Sequence, residues 1–129
     1  MKKIILLLAT ILFTLSAKSQ EEFSRAYLNV LISYEDSLSY YNGANAFTFN
    51  VDGNSIIYYP HSGPSERFIY VSGVEDDVDR YGDEYQIIKT IEASTSEIVY
   101  FQLYKNLEFG LNMIFGEPTV LVHFYNKKK

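Results

Sequence analysis

The sequence predicts an α+β domain: one amphipathic N-terminal helix packed on a curved antiparallel meander sheet of six or seven strands. Two observations predict it. Between residues 21 and 41, apolar and aromatic residues recur at steps of three and four. After Gly43 the period falls to two, in segments rich in β-branched and aromatic residues and separated by short turn sequences.

The helix rests on Phe23, Tyr27, Val30, Leu31, Tyr34, Leu38 and Tyr41 forming a stripe, with Glu22, Arg25, Asn29, Ser33 and Asp36 between them. Glu21 and Glu22 fall in the first turn, where the helix dipole favours negative charge, and Asn42-Gly43 supplies a left-handed stop. The strand segments that follow are NAFTFNV, SIIYY, RFIYVSGV, EYQIIKTIEA, EIVYFQLYK and TVLVHFYN, with a further short strand over Leu111 to Phe115. Asp52-Gly53-Asn54 reads as a tight hairpin turn, because these residues tolerate the positive φ that short hairpins require. Residues 92–97, EASTSE, turn the fourth strand segment into the fifth in the same manner. Connections this short rule out parallel crossovers, so the sheet is expected to be antiparallel.

Upstream of the domain, residues 1–19 have the three parts of a secretory signal peptide. Lys2 and Lys3 precede an apolar or small run from Ile4 to Leu15, and Ala17 and Ser19 place the cut before Gln20. The run is shorter than the roughly 20 residues needed to cross a bilayer as a helix. The expected mature chain, residues 20–129, is a single domain of 110 residues, exported to a periplasm or the extracellular space and free of the membrane. The chain has no cysteine, so packing alone must hold the fold.

Losing Lys2, Lys3 and Lys18 with the signal takes the formal charge from −5 to −8. An acidic chain with dispersed arginines lacks the basic stripe that phosphates need, which excludes nucleic acid as a partner. The terminal Lys127–Lys129 reads as a solvated end.

Catalytic and metal signatures are sparse. His61 and Ser62 sit in YPHSGPS, where Pro60, Gly63 and Pro64 already account for a hairpin loop. Glu75, Asp76, Asp77, Asp79, Asp83 and Glu84 crowd ten residues and invite a calcium reading. Counted from Asp77, however, Tyr81 occupies the fifth position of the calcium loop and Ile88 the twelfth, where the bidentate glutamate belongs. This segment is expected to be a solvated connection. Two isolated histidines and no cysteine make zinc a poor prospect, and SGPS lacks the lysine and helix of a phosphate loop. No metal and no cofactor are expected.

What remains is an aromatic surplus, 12 Tyr and 9 Phe, whose placement matters more than its size. Segment 98–104 carries Val99, Phe101 and Leu103 on one face and Ile98, Tyr100 and Tyr104 on the other. Segment 120–125 opposes Val120, Val122 and Phe124 to Leu121, His123 and Tyr125. One helix can shield only one face of a sheet. Either the sheet curls on itself into a barrel-like core, or the second face meets a ligand or protein. Tyrosine suits contact, since it pairs stiff area with a hydroxyl that stays wet. The expected function is therefore a small exported, non-enzymatic binding or protein-interaction module, with Tyr100, Tyr104, His123 and Tyr125 as its contact residues. The alternatives are a small secreted hydrolase using paired carboxylates or His123, and a lipocalin-like carrier of a small apolar ligand.

Overall fold

A computed structural model describes residues 21–126. The expected signal peptide and the terminal lysines lie outside the described residues.

The described residues are nearly all β. Strands β1 (Phe23–Tyr34), β2 (Ser37–Val51), β3 (Ser55–Tyr59), β4 (Glu66–Tyr70), β5 (Glu75–Val78), β6 (Glu84–Glu92), β7 (Ile98–Tyr104), β8 (Leu111–Phe115) and β9 (Val120–Tyr125) are joined by turns and one 3₁₀ turn, Leu107–Phe109. Every pairing is antiparallel. β1 pairs with both β2 and β9, and β4 pairs with β6, which closes an eight-stranded barrel in the order β1-β2-β3-β4-β6-β7-β8-β9. β5 continues β4 along the same neighbour: β4 covers Thr90–Glu92 of β6, and β5 covers Glu84–Ile87.

The N-terminal helix is overturned. Residues 23–51 form a long hairpin that turns at Glu35 and Asp36, with Glu35 at φ 51°. The cause of the helical period is a bulge opposite Leu28, where the β1–β2 register shifts between Tyr27 and Asn29 and Leu28 faces both Gly43 and Ala44. Before it Phe23 and Tyr27 face inward; after it Val30 and Ile32 do. The step of three from Tyr27 to Val30, inserted into a period of two, imitates a helical stripe. Asn42-Gly43 lies within β2 and stops nothing. The acidic segment also differs from the expected loop, since Glu75–Val78 pairs with β6 and only residues 79–83 turn.

The antiparallel meander, the turn at Asp52-Gly53 and the strand Leu111–Phe115 are as expected. The alternation within β7 and β9 is real. Val99, Phe101 and Leu103 face the barrel axis together with Val122 and Phe124, while Tyr100, Tyr104, His123 and Tyr125 lie on the outer wall.

Phenylalanines fill the middle of the barrel. Phe47, Phe49, Phe68, Phe101 and Phe124 are essentially inaccessible to solvent. Phe47 stacks on Tyr58 at 4.6 Å between ring centres and meets Phe124 edge-on at 4.8 Å; Phe68 meets Phe101 edge-on at 5.0 Å. Burying one such side chain contributes roughly 1.5–3 kcal/mol, which is how a cysteine-free chain of this length holds its fold. Two ends result from the up-and-down topology. The turns at 35–36, 60–65, 93–97 and 116–119 share what is here called the upper end, and those at 52–54, 79–83 and 105–110 share the lower end.

Candidate functional site

Three clefts among the described residues bear on function. The first lies on the outer wall near the lower end, and the cross-strand register constructs it. Gln102 of β7 stands opposite Asn112 of β8, which stands opposite His123 of β9, so three outward polar residues form one row. Asn112 Nδ2 donates to Gln102 Oε1 at 2.8 Å, leaving Asn112 Oδ1 to accept from His123 Nδ1 at 2.7 Å. The His123 ring stacks on Tyr125 at 5.0 Å. Burial pushes the imidazole below its ordinary pKa, opposed by a backbone hydrogen bond at Leu111, so it is neutral at pH 7.

One residue pair down the wall, Tyr104 packs between Tyr85 at 5.4 Å and Phe109 at 5.5 Å. Phe109 is placed by the 3₁₀ turn, whose start is capped by Asn106 Oδ1 accepting from the Glu108 amide. Gly110 then enters β8 with φ 71°, and a Cβ there would overlap the Phe124 carbonyl oxygen, so glycine is required. The Tyr104 hydroxyl donates to Asp79 Oδ2 at 3.0 Å. Burial first, and then Asp79, push the Tyr104 pKa up to about 12. Asp79 itself is fixed by the amides of Tyr81 and Asp83, which donate to its Oδ1 at 2.8 and 3.0 Å. Partial burial opposes ionisation of Asp79, but these bonds and the Tyr104 hydroxyl outweigh it and hold the carboxyl below the usual range. The result is a cleft of about 310 Å³ with Tyr104, Phe109, Asn112 and His123 as its walls and Asp79, Asp83 and Glu108 as its rim. No lysine or arginine is among its described lining residues, although Arg80 lies over the ring of Tyr81 beside it.

The structure thus brings Tyr104 and His123 to one cleft, with Tyr125 stacked behind His123. Tyr100 is not among them. It stands opposite Ile114, one row nearer the upper end, with Lys89 Nζ 5.9 Å from its ring centre. Phe109, Asn112 and Asp79 are members that sequence reasoning did not assign. For Asn112 the signal was present, since it is the one polar residue among Leu111, Met113 and Phe115 in a strand that alternates.

A second cleft, about 320 Å³, opens at the upper end between β2 and the loop after β3. Val30, Ile32 and Tyr58 form its floor, and Tyr41, Asn45 and His61 its sides. Asn45, buried, accepts from the Tyr58 hydroxyl at 2.7 Å and from the His61 amide at 3.2 Å. The loop that carries His61 thus forms part of a cleft wall. Ser62 lines the same cleft, and no described hydrogen bond joins it to His61.

A third and smaller cleft, about 160 Å³, holds Glu66 and Glu92. Their environments differ. Burial and then the charge of Glu92 raise Glu66, whereas hydrogen bonds from Ser94 and Thr95 outweigh burial and lower Glu92. The Glu92 carboxylate accepts from the Ser94 and Thr95 amides at 3.0 and 2.7 Å and from both hydroxyls, so its oxygens are engaged in holding the 92–97 turn. Among the described residues, no three histidine, aspartate or glutamate side chains gather closely enough to hold a metal ion.

No protein-family model matches this chain, and neither the curated proteins nor the solved structures give a significant match.

Proposed function

We propose that this chain is a small exported, non-enzymatic binding module that receives a positively charged group, such as an arginine or lysine side chain of a partner, in the outer-wall cleft. The observation that carries the reading is the convergence of aromatic faces and carboxylates, with no lysine or arginine among the lining residues, around one cleft: Tyr104 and Phe109 beside Asp79 and Asp83. A cation over an aromatic face gains about 0.5–2 kcal/mol depending on desolvation. Neighbouring carboxylates add charge-assisted hydrogen bonds. A formal charge of −5, or −8 without the signal, steers cations toward the surface. The cleft is preorganised, because Asp79 is held by two amides and a hydroxyl before any ligand arrives.

Titration calorimetry with short arginine-containing peptides and their glutamate counterparts tests this. Binding of the basic peptides is expected to weaken as salt rises and to fall at least tenfold in Tyr104→Ala and in Asp83→Asn. Equal binding of acidic and basic peptides, or unchanged affinity in both variants, would contradict the proposal.

One observation favours a second reading, a lipocalin-like carrier: the barrel closes, and its upper end has a cleft with an apolar floor of Val30, Ile32 and Tyr58. The phenylalanines below that floor leave room for a shallow ligand and not for a deep one. An apolar fluorescent probe displaced by Ile32→Arg, with basic peptides inert, would favour the carrier over the wall site.

A further inference from the structure

We infer that the free edge of β2 over residues 37–42 pairs with the same edge of a second copy of this chain, antiparallel about a two-fold axis. β1 covers one edge of β2 over its length, from Ser37 to Phe49, but β3 covers the other only from Ala46 to Val51. The seam between β2 and β3 stops after Ala46↔Tyr59, because the next residue of β3 is Pro60, which has no N–H to continue the ladder. His61 then lies against Gly43, where a Cβ would run into its ring, and bounds the open stretch. Among the described residues, nothing pairs with this edge of residues 37–42. An edge of this kind presents a row of unsatisfied N–H and C=O groups.

Another free edge among the described residues, that of β5, shows what a guarded one looks like. β5 is four residues long, and three of them are acids, Glu75, Asp76 and Asp77. Residues 37–42, SLSYYN, contain neither charge nor proline. Leu38, Tyr40 and Tyr41 are 60%, 67% and 56% exposed. In an acidic chain, two copies approach with least repulsion where the surface is neutral, and this strand is such a place. Antiparallel pairing of a strand with itself is isologous, so each copy supplies what the other lacks. Side chains on facing residues must share a side of the sheet. That condition allows Ser39 to face Ser39, which sets Leu38 against Tyr40 twice on the outer side and Ser37 against Tyr41 twice on the inner. In that register Glu35 and Asp36 fall beyond the overlap, beside Gly43 and Asn42 of the other copy and near its His61, so the nearest acids meet no acid.

Sedimentation velocity on the purified protein, from low micromolar to near-millimolar concentration, should show the mass rising toward twice that of one chain. The double variant Leu38→Lys with Tyr40→Lys places lysines opposite lysines and should remain one chain throughout, with an unchanged circular-dichroism spectrum. Amide hydrogen exchange on the unaltered protein should show residues 37–42 gaining protection with concentration, a readout independent of whether the variant folds. A single-chain mass at every concentration would overturn the inference, as would a dimer that survives the double variant with no change in protection at 37–42. Only the amides that point away from β1 report on this edge, since the others are held by β1 in any state; their protection in a monomer would assign the edge to another segment of the same chain and overturn the inference equally.

Discussion

Replacing Phe47 with alanine tests whether the barrel is packed or hollow. Phe47 is fully buried and touches Tyr27, Phe49, Tyr58, Phe101 and Phe124, with ring centres between 4.6 and 6.2 Å. Deleting a phenylalanine from a core costs about 3–5 kcal/mol, the larger values arising where neighbours cannot collapse into the gap. Here the neighbours are rings fixed on five different strands, so the upper part of that range, ~4–5 kcal/mol, is expected. With a urea dependence of roughly 1.5 kcal/mol per molar, the unfolding midpoint should fall by about 3 M. A domain of this size is stable by only about 5–15 kcal/mol, so the variant will be marginal at room temperature. Far-UV circular dichroism against urea measures the shift, with Tyr81→Ala, 74% exposed, as a control expected to move by less than about 0.5 kcal/mol. A loss below about 1 kcal/mol for Phe47→Ala would refute a packed interior and favour an open calyx.

Three other outcomes follow from the same geometry. Gly110→Ala should prevent the 3₁₀ turn from entering β8 and lower thermal stability sharply, because its Cβ would meet the Phe124 carbonyl at a φ of 71°; a melting temperature within a degree or two of the parent would contradict this. Glu92→Gln should cost ~1–2 kcal/mol at neutral pH, since a carboxylate accepting amides and hydroxyls is replaced by a weaker acceptor. The folded-state pKa of Glu92 lies below its ordinary 4.5, so this stabilisation is present above that value and fades as pH falls through the folded pKa. Parent and variant should therefore converge in acid, and a constant difference down to strongly acid pH would refute the assignment. Asp79→Asn should lower the Tyr104 pKa from about 12 part of the way toward 10, because burial, the larger cause, remains; carbon NMR of labelled tyrosine against pH reads it directly, and an unmoved Tyr104 would contradict the contact.

The outer half of this account was legible in the sequence, and the first third was not. In β7 and β9 the residues alternate without interruption, so the inward Val99, Phe101 and Phe124 and the outward Tyr104, His123 and Tyr125 could be read before any coordinates. In β1 the parity of the pattern changes at Leu28, which faces two residues of β2, Gly43 and Ala44, and the aromatic-rich segment gained a false helical period. The β propensity of its tyrosines, valine and isoleucine argued the other way and was outweighed by the stripe. Recognising β1 and β2 as strands would have supplied the partners that close the sheet, and with them the barrel. The site was visible in part because Tyr104 and His123 share a face. Phe109 and Asp79 could not be placed, since their meeting with Tyr104 depends on how two turns fold back against the wall. Tyr100 shares that face but lies one row away, a distinction that only the register between β7 and β8 makes.

The wall site makes its most direct statement about which rings feel a ligand. Aromatic proton NMR during titration with an arginine-containing peptide should move the resonances of Tyr104, Phe109, His123 and Tyr125 together and saturably. The interior rings of Phe47 and Phe101 should stay fixed, and Asp79→Asn should weaken the response. Shifts confined to Tyr58 and the methyls of Val30 and Ile32, or no shift in the four wall rings at saturating peptide, would contradict the proposed site.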